Sequence, residues 1–96
     1  MADVPSYAIV KRKQPLAKKE DARPTIEKLT AHYSAMGEGV RVDTQDGVRI
    51  DFEADRAWVH VRASNTEPIL RLIGEAPTRE KVEAVLDEVQ RLVDGG

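Results

Sequence analysis

The chain has 96 residues, a formal charge of −2, no cysteine, and a third of its residues charged. That length suits one domain with a modest core, the missing thiols exclude a disulfide framework, a cysteine nucleophile or a thiolate metal site, and the slightly acidic balance argues against an obligate nucleic-acid binder. No apolar run approaches the ~20 residues of a membrane span, and MADVPSYAIV lacks the basic-then-apolar pattern of a secretion signal, so a reducing, cytoplasmic setting is expected, with no membrane partner.

Residues 1–22 are predicted to form a strand or arm and a connector. Tyr7, Ile9 and Val10 in SYAIVKRK supply the strand character, and QPLAKKEDARP, polar with two prolines, supplies the connector. PTIEKLTAHYSAMG predicts a helix. Ile26, Leu29, Tyr33 and Met36 recur at helical spacing and are expected in the core. Pro24 suits the first turn, and Gly37 and Gly39 supply the stop. VRVDTQDGVRIDF alternates on both sides of Asp46-Gly47, a hairpin signal in which both turn positions tolerate positive φ. AWVHVR is a further alternating strand, and ILRLIGEA follows after RASNTEP. In TREKVEAVLDEVQRLV, Val82, Val85, Leu86, Val89, Leu92 and Val93 make one apolar stripe behind a Thr78 N-cap. Short connections favour antiparallel neighbours. The expected fold is a two-layer α+β domain, an antiparallel sheet of about four strands with two helices packed on one face.

Alternation then divides the side chains. If Val59, Val61, Leu70 and Leu72 face the helices, Trp58, His60, Arg62, Ile69, Arg71 and Ile73 face away. An open face with two arginines, a tryptophan and two isoleucines suggests a partner surface or cleft, although one-sided sheets commonly expose a few apolar residues.

The turn between these strands concentrates polar chemistry. Ser64 and Thr66 bring hydroxyls, and Asn65 brings an amide and tolerance of positive φ. Such a turn can aim successive backbone N–H groups inward as an anion nest. Arg62 offers a forked, permanently charged donor set, and Arg71 shares its face. Glu67 is expected to orient an arginine by a salt bridge and not to touch a ligand. The same residues also suit a plain solvated hairpin loop, and spacing alone does not decide between loop and phosphate receptor.

From GEGVRVDTQDGVRIDF through WVHVRASNTEPILRLIGEAPTREKVEAVLDEV, the chain resembles the C-terminal, fourth domain of the α-D-phosphohexomutases, which include the phosphomannomutase/phosphoglucomutase and phosphoglucosamine mutase enzymes. RASNTEPILR matches that family's phosphate-binding loop. SYAIVKR resembles the start of the same domain, so the likeness covers nearly all of residues 1–96. The resemblance implies an enzyme that interconverts hexose 1-phosphate and hexose 6-phosphate through a phosphoserine and a bisphosphorylated sugar. Magnesium is expected in the full-length enzyme, in another domain. This domain would grip the phosphate that is not being transferred, through Arg62, Ser64, Asn65, Thr66 and Arg71, and help close the cleft. Its partners would be the hexose phosphate and the other mutase domains. Neither the family's catalytic serine context nor its metal loop is recognisable here, so no catalytic residue and no metal ligand is assigned. The domain alone is expected to be inactive.

The alternative is a non-catalytic module that binds nucleic acid or protein on the same face. KRKQPLAKK has five basic residues among nine, but ED follows at once, and a solvated strand end explains the run. His32 and His60 have no carboxylate or thiolate at metal-ligand spacing.

Overall fold

The structure, a computed structural model, describes residues 7–64 and 66–95. The elements are β1 (Ala8–Pro15), a short 3-10 turn (Lys19–Asp21), α1 (Ala22–Ser34), β2 (Val40–Asp43), β3 (Val48–Phe52), β4 (Ala57–Ala63), β5 (Ile69–Ala76) and α2 (Arg79–Gly95). All neighbouring strands are antiparallel, in the order β1-β5-β4-β3-β2. The sheet therefore has five strands, one more than the sequence led us to expect. The N-terminal segment is no loose arm. It pairs with β5 along its whole length, from Ala8 opposite Ala76 to Pro15 opposite Ile69. As an edge strand it tolerates the missing N–H of Pro15.

Both helices lie on one face of the sheet. Val48, Ile50, Val59, Val61, Leu70 and Leu72 are fully buried there, with Leu29 and Tyr33 of α1 and Val82, Leu86 and Val89 of α2. Removing these side chains from water is the main favourable contribution to folding. Thr78 caps α2 as expected, its Oγ1 accepting the Lys81 N–H at 3.2 Å. Met36 departs from expectation. The helix stops at Ser34, so Met36 leaves the buried face and stands half-exposed.

Polar ties fasten the layers. The buried Tyr33 hydroxyl donates to Glu88 Oε2 at 2.9 Å, joining α1 to α2. Phe52 packs against the same ring at a near-perpendicular angle. Lys28 Nζ donates to the Leu92 carbonyl at 2.7 Å, satisfying an acceptor in the last turns of α2. Arg12, on the inward side of β1, donates to Asp87 Oδ1 and Gln90 Oε1, both at 2.6 Å. The edge strand is thus tied to α2 by charge as well as by apolar contact.

The β2–β3 connection is longer than a two-residue turn. It runs from Thr44 to Gly47, and among the described turn residues only Gly47 has positive φ, at +69°. Asp43 Oδ1 accepts the Gln45 N–H at 2.9 Å and starts the turn. A Cβ at Gly47 would lie 2.2 Å from the Val61 carbonyl oxygen and 3.0 Å from the Arg62 Cα. The glycine therefore lets this turn sit directly against β4.

Two outcomes follow for stability. Gly47→Ala is expected to lower the unfolding free energy in urea by about 2–3 kcal/mol, through steric clash and the positive φ. Burial, reinforced by the Glu88 carboxylate, pushes the Tyr33 phenol well above its ordinary range. The folded form therefore favours the neutral phenol, a contribution fully present below the unfolded pKa near 10 and lost as pH rises beyond it. Urea midpoints measured across that range should fall less steeply for Tyr33→Phe than for the wild type.

Candidate functional site

The open face is built by the outward residues of β4 and β5. Arg62 stands directly opposite Arg71, His60 opposite Ile73, and Trp58 opposite Glu75. The two arginines are exposed, and the other four are half-buried. β1 extends the rows, with Lys13 opposite Arg71 and Lys11 opposite Ile73. Lys13, Arg71 and Arg62 therefore lie abreast on adjacent strands. Neighbouring strands are about 4.8 Å apart, and like charges placed directly opposite destabilise a sheet. Among the described residues, one carboxylate meets this row, with Asp46 Oδ2 at 3.8 Å from Arg62. Arg71 and Lys13 form no ion pair among the described residues.

The other end of the face is internally balanced. Trp58 Nε1–H donates to Glu75 Oε1 at 2.8 Å. Arg49 lies over the Trp58 ring at 4.6 Å and pairs with Asp51 at 3.1 Å. Charge is thus neutralised around Trp58 and left in excess around Arg71. The excess adjoins the turn that carries the hydroxyls.

That turn is closed by backbone bonds. The Ser64 N–H donates to the Ile69 carbonyl at 3.1 Å, and the Ile69 N–H to the Glu67 carbonyl at 2.8 Å. The Leu16 N–H donates to the Pro68 carbonyl at 2.7 Å, which pins the turn to the chain leaving β1. Ser64 is buried, and its Oγ accepts the N–H groups of Thr66 and Glu67, both at 3.3 Å. These two amides fold onto Ser64, so the nest expected from the sequence is partly satisfied from within. Ser64 shapes the turn, while Thr66 is exposed. Asn65 lies outside the described residues.

Two contacts escaped sequence reasoning, Asp46 with Arg62 and Asp46 with His60. Glu67 makes no ion pair with an arginine among the described residues. The carboxylate beside Arg62 belongs to Asp46, sixteen positions upstream in the β2–β3 turn. His60 Nε2 lies 2.6 Å from the Asp46 carbonyl and ties that turn to β4. Only the close approach at Gly47 makes this meeting possible, and a linear pattern carries no signal of it.

Elsewhere, a groove of about 790 Å³ lies between α1 and the Thr44–Gly47 turn, but it mixes Lys19 and Arg23 with Glu20 and Glu27 and lacks a charge of one sign. Among the described residues no three of His, Asp and Glu come together as a metal ligand set. No helix among them is long and apolar enough to cross a membrane.

Fold and face together define a two-layer α+β domain that presents paired arginines beside a hydroxyl-bearing turn. The family model described as "Phosphoglucomutase/phosphomannomutase, C-terminal domain" matches residues 9–92, and the chain belongs to that family. It is 34% identical to a probable phosphoglucosamine mutase of Methanopyrus kandleri, over 97% of this chain and 20% of the relative. It is 39% identical to a phosphoglucomutase/phosphomannomutase of Thermococcus kodakarensis, over 88% of this chain and 17% of the relative. A phosphomannomutase/phosphoglucomutase of Pseudomonas aeruginosa is 41% identical over 69% of this chain and 14% of the relative. The chain spans about a fifth or less of the length of these relatives, and the matches fall in both the glucosamine and the mannose/glucose branches.

Ser64→Ala removes the acceptor for two turn amides. Hydrogen exchange at the Thr66 and Glu67 amides is expected to accelerate several-fold in this variant, while exchange in the β4 core at Val59 stays unchanged.

Proposed function

We propose that this domain holds the non-transferred phosphate of a hexose phosphate in a mutase that interconverts hexose 1-phosphate and hexose 6-phosphate. The observation that carries the reading is the Arg62–Arg71 pair, set directly opposite one another at the mouth of a turn bearing Ser64 and Thr66. Two guanidinium groups in mutual repulsion gain most from an anion placed between them. A phosphate oxygen accepts charge-assisted bonds from both forks. The Thr66 hydroxyl and Asn65 amide are suited to add donors. Ser64 keeps its hydroxyl proton to donate, since its oxygen serves the turn as an acceptor.

These groups make and break no bonds to phosphorus. They position the substrate, the main lever in phosphoryl transfer. A sugar carrying phosphate at either end meets the same donors, so the clamp reads phosphate and is indifferent to the carbon that bears it. Magnesium is expected to assist transfer from another domain of such an enzyme, and no step proposed here runs through it. The face is open, so closing the cleft requires the other mutase domains to meet it, and a swing of this domain would supply that motion. The reading places the domain in a cytoplasmic enzyme.

The test is kinetic. In a mutase carrying this domain, Arg62→Ala is expected to lower kcat/KM for the hexose 1-phosphate by about 10- to 100-fold, the loss of one charge-assisted contact. Unchanged KM and kcat would sink the proposal.

A further inference from the structure

Asp46 stands where the β2–β3 turn presses on β4, and it meets two outward residues of that strand. Its carbonyl lies 2.6 Å from His60 Nε2, and its carboxylate Oδ2 lies 3.8 Å from Arg62 Nη1. A carbonyl only accepts, so His60 donates this bond from a protonated Nε2. Three contacts set the place of Asp46. Gly47 lies against the Val61 carbonyl and the Arg62 Cα, His60 holds the Asp46 carbonyl, and Asp43 Oδ1 starts the turn by accepting the Gln45 N–H.

Register then orders the charges. Arg62 has Arg71 beside it on β5, and the Asp46 turn beside it on the β3 side. A phosphate drawn between the two arginines therefore has Arg62 between itself and the carboxylate. The ion pair engages Nη1, and the Nε–Nη2 edge of the same guanidinium is the one that can give an oxyanion two parallel bonds. Without the carboxylate, Arg62 would face Arg71 with nothing to offset their repulsion, and its long side chain would spread over more rotamers.

We propose that Asp46 is a positioning residue of the phosphate clamp: it holds the Arg62 guanidinium by Nη1, from the side away from the phosphate, while the other edge takes the anion. This inference rests on the clamp reading above. Asp46 itself touches no ligand. The pair is exposed on both sides, so it adds little to the stability of the fold. Its effect is on where Arg62 points.

Asp46→Asn tests this in a mutase carrying this domain. Asparagine removes the charge and keeps the turn, because Asn-Gly serves a hairpin as well as Asp-Gly does. An unchanged urea midpoint is the control for folding. kcat/KM for the hexose 1-phosphate is expected to fall about two- to fivefold, the scale of an exposed ion pair. The loss is expected in KM, because this phosphate is held in ground state and transition state alike. Asp46→Glu, which restores the carboxylate, is expected to recover most of it. In an Arg62→Ala background, Asp46→Asn is expected to change nothing further, because its target is gone. An equal loss in both backgrounds, no loss, a loss confined to kcat, or a gain from relieved repulsion with the phosphate would each overturn the assignment. If Arg62→Ala alone keeps full kcat/KM, the clamp reading falls and this inference with it, an outcome distinct from an Asp46 effect that ignores Arg62.

Discussion

The register of β4 against β5 is the constraint on which the rest depends. Val61 faces Leu72 and Arg62 faces Arg71. Because strand side chains alternate, one register serves both layers: it commits the valines and leucines to the helices and the arginines to the open side. A slip of one residue would carry charge into the core and valine into water. The core therefore fixes the geometry of the arginine pair. The strong preference of Val59, Val61, Leu70 and Leu72 for burial holds two like charges opposite one another against their repulsion.

Charge across the open face is uneven, and the unevenness is informative. Near Trp58 each polar group has a partner, with Glu75 on the indole and Asp51 on Arg49. That end resembles a finished surface. Toward the turn, Arg62 meets Asp46 at 3.8 Å, and Lys13 and Arg71 form no ion pair among the described residues. Asp46 is more exposed than Arg62, so water screens the pair and leaves it weak. An incoming dianion would meet guanidinium groups held in place but not strongly committed.

Much of this was legible in the sequence. Hydrophobic alternation located β3, β4 and β5, and the stripe from Val82 to Val93 located α2, because in each the burial period matches the backbone period. The outward side of β4 and β5 followed from the same alternation. What was not legible arose where local pattern and tertiary context part. Met36 keeps helical spacing, yet the helix ends two residues earlier. The N-terminal strand looked ambiguous because its inward side ends in Arg12 and Gln14, whose partners on α2 lie more than seventy residues away. The Asp46–Arg62 and Asp46–His60 contacts depend on a turn pressed against β4 through Gly47. The role of Ser64 as acceptor for two turn amides likewise depends on the closed shape of the turn. The family match covers residues 9–92 and so includes this turn.

The most direct measurement of the central claim is a crystal structure of a mutase containing this domain with a bound hexose phosphate. The account predicts one phosphate within hydrogen-bond distance of both the Arg62 and Arg71 guanidinium groups, with the Thr66 hydroxyl turned toward it. A phosphate seated against the α1 groove, or elsewhere with both arginines left to solvent, would contradict it.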